Sequence, residues 1–145
     1  MTGEFSAWLA KYGLTESFTT PAGDAFYVNI SKKFGVLRKN GEYGIQSFYL
    51  DDILEFQTYD DENLVVEWNA YRSWRIPERS TRYSTNEVYM TLRLKDGKTI
   101  RIQLFRAAGG NIQRNSPQHV NLIEYARQIS QVVYNCAAAA RQPQP

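Results

Sequence analysis

Side chains able to do chemistry are few in this chain and far apart. It holds one histidine, His119, and one cysteine, Cys136. A thiolate nucleophile needs a base within hydrogen-bond reach. These two stand 17 residues apart on one helical pattern, a rise of about 25 Å. They cannot meet, and one His with one Cys makes no zinc site. Asp60, Asp61 and Glu62, with Asp51 and Asp52 upstream, offer oxygens to a hard cation. A calcium loop, however, needs alternating ligands, a glycine at its sharp turn and a terminal bidentate carboxylate, a register that YDDENL lacks. Ala107-Ala108-Gly109-Gly110 has no following Lys-Ser/Thr for a phosphate loop, and no G-x-S-x-G nucleophile elbow occurs. The expectation is a protein without enzymatic activity, cofactor or bound metal.

Charge segregation points instead to recognition. Residues 51–67 carry seven carboxylates and no Lys or Arg, whereas Tyr71 to Arg106 carries nine Lys or Arg against three acids, a net of −7 beside a net of +6. Fields of this kind steer encounters and fix orientation. Within the basic stretch, YRSWRIPERSTRY interleaves Arg72, Arg75, Arg79 and Arg82 with Tyr71, Trp74 and Tyr83. Arginine presents planar donors and stacks on aromatic rings, and Arg, Trp and Tyr are enriched at binding hot spots. Residues 71–83 therefore read as a long binding loop, extended along the following hairpin by Arg93 and Arg101, with Lys95, Lys98 and Arg106 beside them. The competing reading has the aromatics folding back on the core and the arginines pairing with the acidic segment. Asp60, Asp61 and Glu62 form a second, acidic candidate surface, suited to occupying a partner's phosphate channel.

From these features the chain is expected to be a binding module for a protein or protein complex, anchored by Trp74 and its arginines. The alternatives are a phage or mobile-element inhibitor that blocks a nucleic-acid-handling host complex, direct nucleic-acid binding, and binding of an anionic lipid headgroup. No helix-turn-helix, RNP, KH or zinc-finger signature supports the nucleic-acid reading. The lone cysteine, an N-terminus without a secretory pattern and the lack of an apolar run of about 18 to 20 residues give the expectation of a cytoplasmic protein with no transmembrane segment.

The elements that must position these residues follow from periodicity. Phe5, Trp8, Leu9 and Tyr12 recur at helical spacing between Thr2, a candidate N-cap, and Gly13, a stop. From Ala25 onward the chain turns to short runs rich in Val, Ile, Tyr, Phe and Thr, predicting strands near 25–30, 33–38, 43–49, 53–59, 63–69, 87–95 and 99–105. A two-residue turn at Asn40-Gly41 would pair Lys39 with Glu42 and Val36 with Ile45. At Asp96-Gly97 a three-residue loop from Lys95 to a left-handed Gly97 pairs Leu92 with Ile100, Met90 with Ile102 and Val88 with Leu104. A long terminal helix starts at Ser116-Pro117, with Leu122, Tyr125, Ile129, Val132 and Cys136 as its apolar stripe. That stripe either packs on a sheet or forms a homo-oligomer seam. The AAAARQPQP end is expected to fray, leaving 1–141 as one domain and 142–145 as a disordered tail.

Seven strands and a final helix give an α+β, mainly β chain: a curled antiparallel sheet, with a short N-terminal helix and a long C-terminal helix plugging its open end. This is a pleckstrin-homology-like layout. KYGL at Lys11 to Leu14, the FYVNISKKFGVL run, DDILEF at Asp51 to Phe56 and YARQISQVV in the last helix resemble a bacterial PH-like domain of unknown function associated with SHOCT (short C-terminal) segments. The likeness covers most of the chain and implies a fold but no reaction, so it assigns no functional residue. It departs at NAYRSWRIPERSTRYSTN, where the family carries a glycine-rich apolar insert.

Overall fold

The computed structural model describes residues 3–40, 45–69, 72–75, 84–107, 112–113 and 115–141. Helix α1 (Gly3–Lys11) ends where Gly13 turns left-handed at φ +64°. Leu14 N–H then donates to Leu9 O at 2.9 Å and Gly13 N–H to Ala10 O at 3.2 Å, the paired bonds that satisfy the last carbonyls of a helix. Leu9 and Leu14 pack with Ala25, Tyr27 and Val36 in a satellite cluster. The helix thus covers the outer face of the first sheet.

That sheet is antiparallel, in the order β1 (Thr15–Thr19), β2 (Ala25–Asn29), β3 (Phe34–Arg38), β4 (Ile45–Tyr49). After a short 3-10 turn at Leu50–Asp52 comes a five-stranded antiparallel sheet built from β5 (Ile53–Asp60), β6 (Asn63–Asn69), β7 (Arg72–Arg75), β9 (Glu87–Leu94) and β10 (Thr99–Arg106). Its order is β10-β9-β5-β6-β7, and β8 (Ser84–Thr85) pairs with β11 (Ile112–Gln113) as a small third ladder. Strands β5, β6 and β7 follow one another, and β9 returns beside β5, a Greek key. The strands thus divide between separate hydrogen-bonded sheets and do not form the single curled sheet expected, while the α+β, mainly antiparallel class holds.

Inner faces of both large sheets and one face of α2 (Pro117–Arg141) share a single core. Ser116 caps α2 through a 3.2 Å bond from His119 N–H to its Oγ. The buried stripe runs Leu122, Ala126, Ile129, Val133, Ala137 and Ala140, with Cys136 beside it, while Tyr125 and Val132 are only half buried. The helix is rotated from the expected stripe because its small residues allow close approach. Thr58 donates to Ser130 Oγ at 2.7 Å, which donates to Ala126 O at 2.7 Å. This stripe is intramolecular core, so it is not a seam between copies. Nor does the helix fray at its alanines: Ala140 is fully buried, and Arg141 donates to Ile53 O at 2.5 Å beside the Trp68 ring. Among the described residues no helix is long and apolar enough to cross a membrane.

The Asp96-Gly97 hairpin folds as its pattern predicts, with Gly97 at φ +88° and Ile100 opposite Leu92 and Ile102 opposite Met90. Past Gln103 a bulge puts Phe105, not Leu104, opposite Val88. The Asn40-Gly41 hairpin departs from expectation: Val36 faces Ser47, not Ile45. Lys39 and Asn40 are held by residues of the β1–β2 connection, so tertiary bonds, not a two-residue turn, fix this register. The expected partner Glu42 lies outside the described residues.

Candidate functional site

Polar residues converge where the edge strand β10 meets the connections β1–β2 and β3–β4. Thr20 donates to Gln103 O at 2.6 Å, and Asp24 Oδ2 accepts Gln103 N–H at 2.8 Å. Asp24 also accepts Lys39 Nζ at 2.5 Å and, through Oδ1, Asn40 N–H at 3.0 Å. Its carboxylate is only 3% exposed. A buried carboxylate satisfied by three donors is a fixed anchor. Lys39 Nζ donates in addition to Arg101 O at 2.9 Å, tying the first sheet's turn to the second sheet's edge.

Above this anchor lies a cleft of about 690 Å³, lined by Ala22, Asp24, Lys39, Asn40, Gln46, Thr99, Arg101, Gln103, Arg106 and Ala107. Its cations are Lys39, Arg101 and Arg106, and its one carboxylate is Asp24 at the base. Arg101 is oriented from several sides. Its guanidinium sits 3.7 Å from the centroid of Tyr89, Nε donates to Gln103 Oε1 at 3.3 Å, and Nη2 reaches Glu87 at 3.1 Å. Tyr89 in turn stacks on Tyr59, centroids 5.3 Å apart. Arg106 points Nη2 to Gln103 Oε1 at 3.4 Å and stays 69% exposed. The result is a set of donors on a rigid floor, which suits a carboxylate or another oxyanion.

Of the residues singled out from sequence as the binding surface, Arg101 lies in this cleft, with Arg106 beside it. Arg93 is on the same hairpin but pairs with Glu55 at 2.8 Å. Arg72, Trp74 and Arg75 belong to strand β7, not to a loop, with Arg75 in register with Glu67 and Arg72 with Asn69. The Greek-key return from β7 to β9 supplies a topological reason for a long connection here. Tyr71, Arg79, Arg82 and Tyr83 lie outside the described residues.

The acidic candidate surface largely dissolves. Asp60 is 1% exposed: Oδ1 accepts the Thr85 hydroxyl at 2.6 Å and Oδ2 accepts His119 Nε2–H at 3.0 Å. Asp61, left-handed at φ +53°, accepts Asn86 N–H at 3.1 Å and Glu87 N–H at 3.0 Å. Asp52 lies 3.8 Å from Lys95. Glu62 alone of the three stays exposed, in the β5–β6 turn. The acidic strand β5 and the basic strand β9 are neighbours in one sheet, and Glu55 faces Arg93 across them.

His119 Nδ1 accepts Asn115 N–H at 3.1 Å, which places the ring proton on Nε2, facing Asp60. Both nitrogens are engaged within the fold, so neither faces a substrate. Burial lifts the Cys136 thiol above its ordinary value, and a hydrogen bond with Ser17 offsets this in part. We expect Cys136 in the native protein to react with a neutral-pH thiol reagent at least about a hundredfold more slowly than after unfolding. Comparable rates in a stopped-flow disulfide-exchange assay would show the site open.

Sequence reasoning missed Thr20, Asp24, Lys39, Asn40, Gln46 and Gln103. TPAGD reads as a turn, but Asp24 binds groups 15, 16 and 79 residues away, and local pattern carries no trace of such partners. No protein-family model matches this chain, and no curated protein and no solved structure matches it either.

Proposed function

We propose that this chain is a non-catalytic binding module of PH-like layout that holds an acidic, carboxylate-bearing segment of a protein partner in the corner cleft. The observation that carries this reading is the orientation of Lys39 by buried Asp24 and of Arg101 by the half-buried Glu87 and Tyr89. Donors already fixed lose little side-chain freedom on binding, and each charge-assisted hydrogen bond contributes about 1.5–3 kcal/mol. Two antiparallel sheets followed by a C-terminal helix on their shared core support the PH-like layout. Commitment of both His119 nitrogens and burial of Cys136 support a role without catalysis. Arg93 stands on β9, the strand beside β10, whereas β7, with Arg72 and Arg75, is the opposite edge of the sheet, so only Arg93 neighbours the hairpin that carries the cleft.

The test uses fluorescence anisotropy with a labelled hexaglutamate peptide, a hexalysine peptide and a short oligothymidine. Hexaglutamate binds the wild type, and the binding weakens with salt. The Arg101→Glu/Arg106→Glu double variant, checked for an unchanged far-UV spectrum, loses at least about tenfold in affinity. An affinity equal to that of the wild type overturns the assignment of the cleft. Tighter binding of oligothymidine than of hexaglutamate replaces the protein partner with single-stranded nucleic acid.

A further inference from the structure

Strand β4 is the outer strand of its sheet, and among the described residues no strand pairs with its second edge. Leu50 N–H donates to Lys33 O at 2.7 Å, one step beyond the Phe34–Tyr49 pair of the β3–β4 register. Hydrogen-bonded pairs alternate along an antiparallel ladder, so Phe48 and Gln46 direct their backbone groups to β3. Ile45, Ser47 and Tyr49 direct theirs to the open edge.

Among the described residues this edge shows none of the devices that keep strands apart. Ile45–Tyr49 contains no charged residue and no proline, and its pairing with β3 shows no bulge. Ile45 and Tyr49 are 38% and 58% exposed, two of the large apolar side chains left in solvent. Both stand on the outer face, where Tyr12, Phe34 and Tyr49 form a run of ring contacts at 6.3 and 6.0 Å. A bulge-free, uncharged and partly apolar edge is a template for another strand.

We infer that β4 pairs antiparallel with β4 of a second copy of this chain about a two-fold axis at Ser47. Only registers that oppose Ile45, Ser47 and Tyr49 to one another bring free N–H and C=O groups together. The register centred on Ser47 overlaps the whole strand. Ser47 then exchanges bonds with its own copy and Ile45 with Tyr49 of the other, about six backbone bonds in three hydrogen-bonded pairs. Each Ile45 covers a Tyr49 on the same face, a favourable aromatic–aliphatic pair. The interface is isologous. It uses no residue of the corner cleft except the neighbourhood of Gln46.

Sedimentation velocity on the full chain from about 5 to about 500 µM tests this, since an interface this small associates weakly. The wild type shows a concentration-dependent monomer–dimer equilibrium. Ser47→Pro deletes an edge N–H that β3 does not use, a position where strands accept proline, and raises the dissociation constant at least about tenfold. Ile45→Lys and Tyr49→Glu each weaken association. Combined in one chain, the two substitutions set opposite charges against each other across the axis and restore it. A wild type that stays monomeric throughout overturns the inference. So do single variants that associate like the wild type, or a double variant that fails to recover.

Discussion

Asp60→Ala lowers the unfolding free energy by about 2–6 kcal/mol, the cost of leaving two buried donors without their acceptor. Asp60 joins the end of β5 to β8 through Thr85 and to the first turn of α2 through His119. Thr85 is fully buried and His119 is 5% exposed. Alanine leaves a hydroxyl and an imidazole N–H facing a void too enclosed for ready hydration, and each unsatisfied buried group costs about 1–3 kcal/mol. The His119 ring is held from its far side by Asn115 N–H, so it cannot turn to find another acceptor without losing that bond. Asp60→Asn keeps one acceptor and turns an amide toward the other donor, for a smaller loss of about 1–3 kcal/mol. Guanidinium-induced unfolding of the three proteins measures both values. A loss below about 1 kcal/mol for alanine would mean that water replaces the carboxylate.

This cluster shows where sequence reading runs out. His119 and Asp60 were each legible as chemistry-bearing residues. Their separation of 59 positions and their joint burial were not. The charge contrast between residues 51–67 and 71–106 was equally plain, yet Asp60 went inward and Glu55 and Asp52 found Arg93 and Lys95. Opposite charges on neighbouring strands can meet across the ladder, and sequence pattern does not say which of them will.

Elements behaved according to how local their determinants are. The Schellman end of α1, the Ser116 cap of α2 and the Gly97 turn all rest on residues within a few positions, and all were readable. Strand β1, TESFT, has a single buried residue, Phe18, in a polar run, so no alternation marks it. Strand β7 hides in the Arg-rich segment for a related reason: it is a sheet edge, where polar residues are tolerated. The Asn40-Gly41 pattern favoured a tight hairpin, but Asp24 captured Lys39 and Asn40 from another connection and shifted the register by two residues.

Asp24→Ala produces a loss of similar size, about 3–5 kcal/mol, and unlike Asp60→Ala it also removes binding. Its carboxylate is the common acceptor for Lys39 Nζ and the backbone amides of Asn40 and Gln103. Those amides belong to different sheets, so the substitution strands donors on both sides of the corner and frees Lys39 from its place on the cleft wall. Lys39→Met separates the two effects. Asp24 then keeps both amide donors, so stability falls by only about 1–3 kcal/mol, whereas one of the cleft's cations is gone and hexaglutamate affinity falls by about tenfold. Urea unfolding and peptide anisotropy on the same samples give both numbers. If Lys39→Met binds the peptide as the wild type does while Asp24→Ala is unstable, the corner is a structural clamp and the anion site lies elsewhere. If both lose binding while only Asp24→Ala loses most of its stability, one buried carboxylate is holding the sheets together and setting the donor geometry that the partner meets.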